Sequence, residues 1–302
     1  MSNDEAPDQK TVGVIGLGLV GSAISTRLMR QGYRCIGCDI DRGACERFTA
    51  AGGHAVSSAR EVAEQAPRIV AALFNTDDLA QVIEGPDGLL AARSGSLSAV
   101  IDCSTADPDR LAGLARQLMT HGIALIEAPL SGSSSQIAAG EASMLLGGLP
   151  TDIASHEDLL AALSPIRLRV GDTGMGARAK LATNLVLGLN RAAFAEGLVF
   201  AEHLGIAPAL FLQLVLGSPA RSEAATVKGP LMVGESFAPQ SRIRQHLKDV
   251  ELMINHAKAR NQRLPLSEAH AALLRAAIDA GDGELDNAAI VRQMRRLTLP
   301  SR

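Results

Sequence analysis

Val12-Gly-Val-Ile-Gly16-Leu-Gly18-Leu-Val-Gly21 reads as a buried strand, a turn with glycines spaced G-x-G-x-x-G, and the start of a helix running to about Met29. Each glycine has a separate task. Gly16 permits the tight turn, Gly18 lets the backbone come close to a pyrophosphate, and Gly21 lets the helix pack against the strand. The first helical residues, Leu19, Val20 and Gly21, together with Leu17, then offer backbone N–H groups and the positive end of a dipole to the phosphates. A second strand, Arg34-Cys-Ile-Gly-Cys-Asp39, ends in an acid 18 residues beyond Gly21, where a carboxylate can accept hydrogen bonds from an adenosine ribose. Strand, helix and acid in this order distinguish a dinucleotide site from a glycine-rich turn without a ligand.

Outward from this motif the chain alternates. Apolar runs at 11–15, 34–39, 69–73, 98–102, 123–126 and 143–147 predict strands, with helical patterns between them such as Asp107 to His121, opened by Asp107-Pro108. The alternation predicts an α/β fold, a Rossmann-type doubly wound parallel sheet. A helix over 151–163 and a strand over 167–170 complete it. After Gly171-Asp-Thr-Gly174-Met-Gly176 only helices follow, at 177–204, 208–216, 218–226, 244–260, 267–280 and 287–296. The expected organisation is a disordered terminus over 1–10, a dinucleotide-binding domain over 11–172 and an all-α domain over 173–302 for substrate binding and dimerisation.

Composition excludes several classes. The chain has 302 residues and a net charge of −3, with Lys and Arg scattered, so no nucleic-acid surface is expected. It lacks Trp and has one Tyr, so it offers no stacking platform for single strands. Residues 1–10 (MSNDEAPDQK) lack the basic and apolar parts of a secretory leader, which points to the cytoplasm. The most apolar region, 181–216, is interrupted by Asn184, Asn190, Arg191, Glu196, Glu202 and His203, so it reads as buried helix and hints at a partner subunit, not a membrane span. Cys35 and Cys38 form C-x-x-C within a strand, on opposite faces, and neither they nor the seven His residues form a metal-ligand pattern.

Two stretches carry candidate chemistry. Lys180 and Asn184 are four apart and share a helix face beside Leu181, Leu185 and Leu187. Partial desolvation there lowers an amine pKa toward the range useful for proton transfer, whereas a lysine that snorkels to solvent is the plain alternative. Glu127-Ala-Pro129-Leu-Ser131-Gly132-Ser133-Ser-Ser-Gln-Ile-Ala-Ala-Gly140 follows a strand, and its hydroxyl and N–H donors suit a small carboxylate, although an ordinary Ser/Gly loop has the same composition.

Taken together these segments resemble the β-hydroxyacid dehydrogenase family, over about Thr11 to Met294. GVIGLGLVG looks like its glycine motif, and Asp102-Cys103-Ser104-Thr105 like its D-x-S-T cofactor segment. EAPLSGSSSQIAAGEASMLLGG looks like its substrate signature, GMGARAKLATN like its catalytic helix, and His246-Leu-Lys248-Asp249 like its later K-D motif; the tail Gly283-Glu-Leu-Asp286-Asn-Ala-Ala also fits. The chain departs from the pattern at Ser133, usually glycine, at Leu73-Phe74, usually Leu-Pro, and at Thr183, usually asparagine.

The resemblance implies hydride transfer between a nicotinamide and a small 3-hydroxy acid, as in 3-hydroxyisobutyrate dehydrogenase or tartronate semialdehyde reductase. It places the general acid/base on Lys180, a positioning role on Asn184, carboxylate binding on Ser131, Gly132 and Ser133, and cofactor contacts on Leu73, Phe74, Thr105 and Lys248. Asp39 favours NAD over NADP, with Arg42 as the complication, and a dimer or tetramer is expected. The alternatives are an NADPH-dependent imine reductase, whose members usually carry Asp or Tyr at the position of Lys180, and a non-enzymatic dinucleotide-binding module. A short-chain dehydrogenase would need Tyr-x-x-x-Lys, which Tyr33 followed by Gly37 does not supply.

Overall fold

β1 (Thr11–Ile15) is buried along its whole length and is the third strand from one edge of a sheet that has nine strands among the described residues. The computed structural model describes residues 10–93 and 96–297, so nine of the ten residues expected to be disordered lie outside the described residues. The chain divides into two compact units, one ending at Lys180 and the other beginning at Leu181.

In the first unit β1 passes through α1 (Leu19–Arg30) to β2 (Arg34–Cys38), then through α2 (Arg42–Ala50) to β3 (His54–Ala55). The chain crosses back through α3 (Ala59–Gln65) to β4 (Arg68–Ala71) on the other side of β1. α4 (Thr76–Glu84), β5 (Ala99–Asp102), α5 (Pro108–Thr120) and β6 (Ala124–Glu127) continue outward. Strand order β3-β2-β1-β4-β5-β6, all parallel, puts the topological switch between β1 and β4. Strand side chains alternate between two cores. Val12, Val14 and Cys35 pack with Ile24 and Leu28 of α1, whereas Ile15 and Cys38 pack with Val62, Leu79, Ile83, Leu111 and Leu118 of α3, α4 and α5. Each such large apolar side chain contributes about 1.5–3 kcal/mol on burial.

The sheet is not wholly parallel. Between β6 and β8 (Ser143–Gly147) lie only the two-residue β7 (Leu130–Ser131) and the six-residue α6 (Ser134–Ala139), not a full crossover helix. β8 therefore runs antiparallel to both β6 and β7, and β9 (Ile166–Gly171) pairs parallel with β8. Neither β3 nor β7 has enough apolar alternation to be read from sequence. The single helix expected over 151–163 is two, α7 (Pro150–Ser155) and α8 (Glu157–Leu163), separated at His156. The strand expected to reach residue 73 stops at Ala71 because the Leu73 N–H donates to Ser104 Oγ at 2.9 Å and leaves the ladder.

The long helix α9 (Met175–His203) begins in the first unit, where Ala177 is 2% exposed in the second of the two cores. The division after Lys180 thus falls inside a continuous helix, later than the 172 boundary that the glycine-rich segment suggested. The second unit contains the rest of α9, then α10 (Pro208–Leu216), α11 (Glu223–Val233), α12 (Ile243–Ala259), α13 (Pro265–Ala277) and α14 (Ile290–Arg296). α11 lies later than the 218–226 spacing suggested, because the Ser222 hydroxyl accepts from the Ala225 N–H and starts the helix there. Leu198, Met232, Ile243, Val250, Leu274 and Ile290 are each at most 2% exposed in this unit's core. α10 differs: its sequence is PALFLQLVL, yet none of its residues is buried. Among the described residues no helix is long and apolar enough to cross a membrane.

Candidate active site

The glycine turn explains itself in two of its three glycines. Gly16 has φ +85°, and a Cβ there would come within 3.1 Å of the Leu73 side chain and closer still to Ala72 O. A Cβ on Gly21 would collide with Gly16 O. Gly18 is different, because a Cβ there would meet nothing within 4 Å. Among the described residues no packing asks for glycine at 18, so the open face suits the close approach of an external group. Gly18 is also the N-cap of α1 and supplies no side-chain cap, whereas α2 to α6 are capped by Asp41, Ser58, Asn75, Asp107 and Ser133. An uncapped, exposed helix start against an open glycine fits a pyrophosphate.

Asp39 follows β2. Its Oδ2 accepts from the Leu17 N–H at 2.6 Å and its Oδ1 from the Asp41 N–H at 2.8 Å, so the carboxylate is held between the glycine turn and the start of α2. Arg42 instead pairs with Glu46 at 3.0 Å on the surface. On the other side of the switch point, Asp102 Oδ1 accepts from the Ser104 N–H at 3.0 Å, and Ser104 Oγ holds Leu73. Both Asp102 and Ser104 are buried, which fixes the segments carrying Leu73, half-exposed Phe74 and Thr105.

Ser131 ends β7, Gly132 is exposed, and Ser133 is buried as the N-cap of α6. Ser133 Oγ accepts from the Gln136 N–H, while the Ser133 N–H donates to Gln136 Oε1 at 2.8 Å, a complete capping box. The hydroxyl that the sequence adds at this position therefore caps a helix instead of standing free for a substrate.

Lys180 and Asn184 lie one turn apart on α9 and are 6% and 8% exposed. Asn184 Nδ2 donates to Asp249 Oδ2 at 3.2 Å, and Lys248 Nζ pairs with Asp249 Oδ1 at 2.9 Å. Asp249, quoted in the K-D motif but given no role there, thus holds two of the expected site residues in the second unit. The Lys248 side chain is only partly exposed.

Glu127, at the end of β6, is 1% exposed. Its Oε1 accepts from the Gly174 N–H, and its Oε2 accepts from the Ala177 N–H at 2.7 Å. Burial pushes this carboxyl upward, and the N–H groups of Gly174, Ala177 and Gly176 pull it back. Sequence reasoning passed over this residue, because its partners are 47 and 50 positions away.

Residues 11–171 match the family described as the NAD binding domain of 6-phosphogluconate dehydrogenase, and residues 174–294 that described as NAD-binding of NADP-dependent 3-hydroxyisobutyrate dehydrogenase. The chain belongs to the β-hydroxyacid dehydrogenase family. It is 28% identical to the L-threonate dehydrogenase of Cupriavidus necator over 97% of this chain and 99% of that protein. Human mitochondrial 3-hydroxyisobutyrate dehydrogenase is 31% identical over 73% of this chain and 65% of its own length. A crystal structure of 3-hydroxyisobutyrate dehydrogenase from Salmonella typhimurium superposes with a TM-score of 0.84 at 28% identity, covering 93% of this chain and 99% of that one. Imine reductases are more distant, with a TM-score of 0.59 and 19% identity for the one from Pseudomonas sp.. The β-hydroxyacid dehydrogenase family consists of oxidoreductases that use NAD(P), and the fold of this member is the family's, a mostly parallel Rossmann-type sheet followed by a helical unit.

Proposed function

We propose that this β-hydroxyacid dehydrogenase interconverts the alcohol of a small 3-hydroxy acid and the corresponding aldehyde, with Lys180 as the general acid and base. The nicotinamide, when bound, supplies the hydride acceptor or donor. The observation that carries the reading is the Lys180–Asn184 pair, both buried and one turn apart on α9. In oxidation Lys180 takes the proton from the substrate hydroxyl; in reduction it returns that proton to the oxygen. Asn184, held by Asp249, orients the substrate and Lys180. Ser131 and Gly132 present donors to the substrate carboxylate, and Ser133 contributes by holding the start of α6. The lysine at 180 and the greater distance of the imine reductases favour this chemistry over imine reduction.

For the cofactor, the proposal is contact along Gly16, Leu17, Gly18, Leu19, Val20 and Gly21, with Leu73, Phe74, Thr105 and Lys248 around the remainder. The carboxylate at 39 favours NAD, since it accepts from ribose hydroxyls and repels a 2′-phosphate. Relatives act on L-threonate, 3-hydroxyisobutyrate and 2-(hydroxymethyl)glutarate, and small hydroxy acids of that size are the proposed class here. The unburied apolar α10 supports a homo-oligomer. Four free cysteines, three of them buried, suit a reducing compartment such as the cytoplasm. The test is a panel of small 3-hydroxy acids with NAD and with NADP, followed by nicotinamide absorbance. Reduction of the cofactor by at least one of them is expected; silence across the panel with both cofactors would refute the reading.

A further inference from the structure

We propose that Glu127 is a positioning residue that sets Lys180 against the substrate-binding loop. This rests on the reading of Lys180 as the proton donor and acceptor. Helices α2 to α6 are each capped by a side chain immediately beside their own first turn. α9 is not. Its first turn contains no acid, and its amides are instead taken by a carboxylate from the end of β6, 47 to 50 residues upstream. A helix start in this unit needs no distant carboxylate for stability alone, since α2 to α6 use a local side chain and α1, α7 and α8 have no side-chain cap at all.

The surrounding glycines are given over to this carboxylate. A Cβ on Gly176 would lie 2.7 Å from Glu127 Oε2, and one on Gly147 would lie 2.9 Å from the same atom. Gly174 has φ +92°, a left-handed turn that aims its N–H back at Glu127. The glycine-rich entry to the catalytic helix is thus the cradle of a buried acid.

Glu127 also opens the loop that leads to Ser131, Gly132 and Ser133. The next residue, Ala128, donates its N–H to Asp102 O at 2.7 Å, which ties the loop to the end of β5 just before Ser104 and Thr105. Lys180 follows Ala177 by three residues, about 4.5 Å along the axis at the usual helical rise. A shift or turn of the first helical residues therefore passes directly to the lysine. The Glu127 side chain joins the carboxylate-binding loop to the acid/base helix, and the backbone of the next residue joins the same loop to the cofactor segment.

The test compares Glu127→Gln, Glu127→Asp and Lys180→Ala. The amide of Gln keeps one acceptor but turns an NH2 group toward an N–H donor, so the first turn of α9 loses a partner. Expected for Glu127→Gln is a kcat lower by about 10–100-fold, as a misplacement of about 1 Å produces, with the affinity for NAD within about 2-fold of wild type. Amide exchange at Gly174, Gly176 and Ala177 should accelerate without a general rise, and Glu127→Asp should recover part of kcat. Should Glu127→Gln fail to fold, Glu127→Asp decides: faster exchange at these three amides with lowered kcat supports the inference, and wild-type kcat overturns it. Wild-type kcat in folded Glu127→Gln, beside an inactive Lys180→Ala, overturns the role of Glu127 while leaving the function intact. Wild-type turnover in Lys180→Ala overturns the acid/base reading and this inference with it.

Discussion

The Leu17 N–H donates to Asp39 Oδ2 across 2.6 Å, so the acid at the end of β2 also braces the glycine turn. Under the proposed cofactor placement, replacing Asp39 removes both an acceptor for ribose hydroxyls and a charge that repels a 2′-phosphate. Asp39→Ala should raise the KM for NAD by about 10-fold or more, the range for a charged hydrogen bond, and should shift the NADP-to-NAD ratio of kcat/KM upward. Unchanged kinetics with both cofactors would place the ribose elsewhere.

Lys180→Ala should lower turnover by about 10²–10⁴-fold, the usual worth of a positioned acid or base, while NAD affinity is retained. Lys180→Arg should rescue poorly, because guanidinium stays charged and cannot accept the proton. Asn184→Ala should be milder, since it transfers no proton. Pre-steady-state turnover and cofactor titration on the same preparations check all three.

In the second unit Asp286 is fully buried and accepts from Lys228 Nζ at 2.9 Å and from the N–H groups of Gln240, Ser241 and Ala288. Lys228→Ala leaves that buried carboxylate without its ion pair and should cost about 3–5 kcal/mol in denaturant unfolding. Arg191 is the opposite case. It is buried, its Nε and Nη1 have no hydrogen-bond partner among the described residues, and burial depresses its pKa to about 10 against the pull of the Asp286 charge. Arg191→Met removes a poorly satisfied buried cation but also a charge that favours Asp286, so it should cost less than the about 3–5 kcal/mol of Lys228→Ala. A large loss in Arg191→Met would show that this guanidinium supports the fold.

His270 sits 5.1 Å from His246, ring centre to ring centre, and burial, aided by the nearby Arg191 charge, lowers its pKa to about 4. The unfolded imidazole takes a proton near pH 6.5, while the folded one stays neutral until about pH 4. Between these values the unfolded state binds more protons, so stability is full above pH 6.5 and falls on acidification, by about 2 kcal/mol from pH 7 to pH 5. Urea midpoints across this window should show a flatter profile for His270→Gln. An equally steep profile in that variant would assign the loss to other groups.

Just past α9 and on α10, Leu204, Leu210 and Leu214 are 62%, 50% and 54% exposed. If these faces pair between subunits, Leu214→Glu should shift the mass measured by light scattering toward the monomer. A wild-type protein that is already monomeric at micromolar concentration would rule this out.

Much of the candidate site was readable because its signals are local. Gly16, Gly18 and Gly21, the acid at 39, and the four-residue spacing of Lys180 and Asn184 each lie within a single strand-turn-helix unit or on one helix. What escaped depends on pairs far apart in the chain. The antiparallel return of β8 follows from a connection too short for a crossover, not from its own residues. Glu127 with Ala177, Asn184 with Asp249, and Lys228 with Asp286 are separated by 50, 65 and 58 positions, and no periodicity marks such partners. The capping role of Ser133 is hidden in the sequence because its partner Gln136 belongs to the same polar stretch.

The empty surroundings of Gly18 separate two kinds of selection on one turn. Laboratory evolution for heat resistance alone should hold Gly16 and Gly21, where any side chain meets backbone, and should let residue 18 drift to alanine, which lowers the entropy of the unfolded chain. Only a screen that demands turnover would bring glycine back. A library sorted both ways would therefore reveal the ligand's footprint as the position whose preferred residue changes between the two pressures.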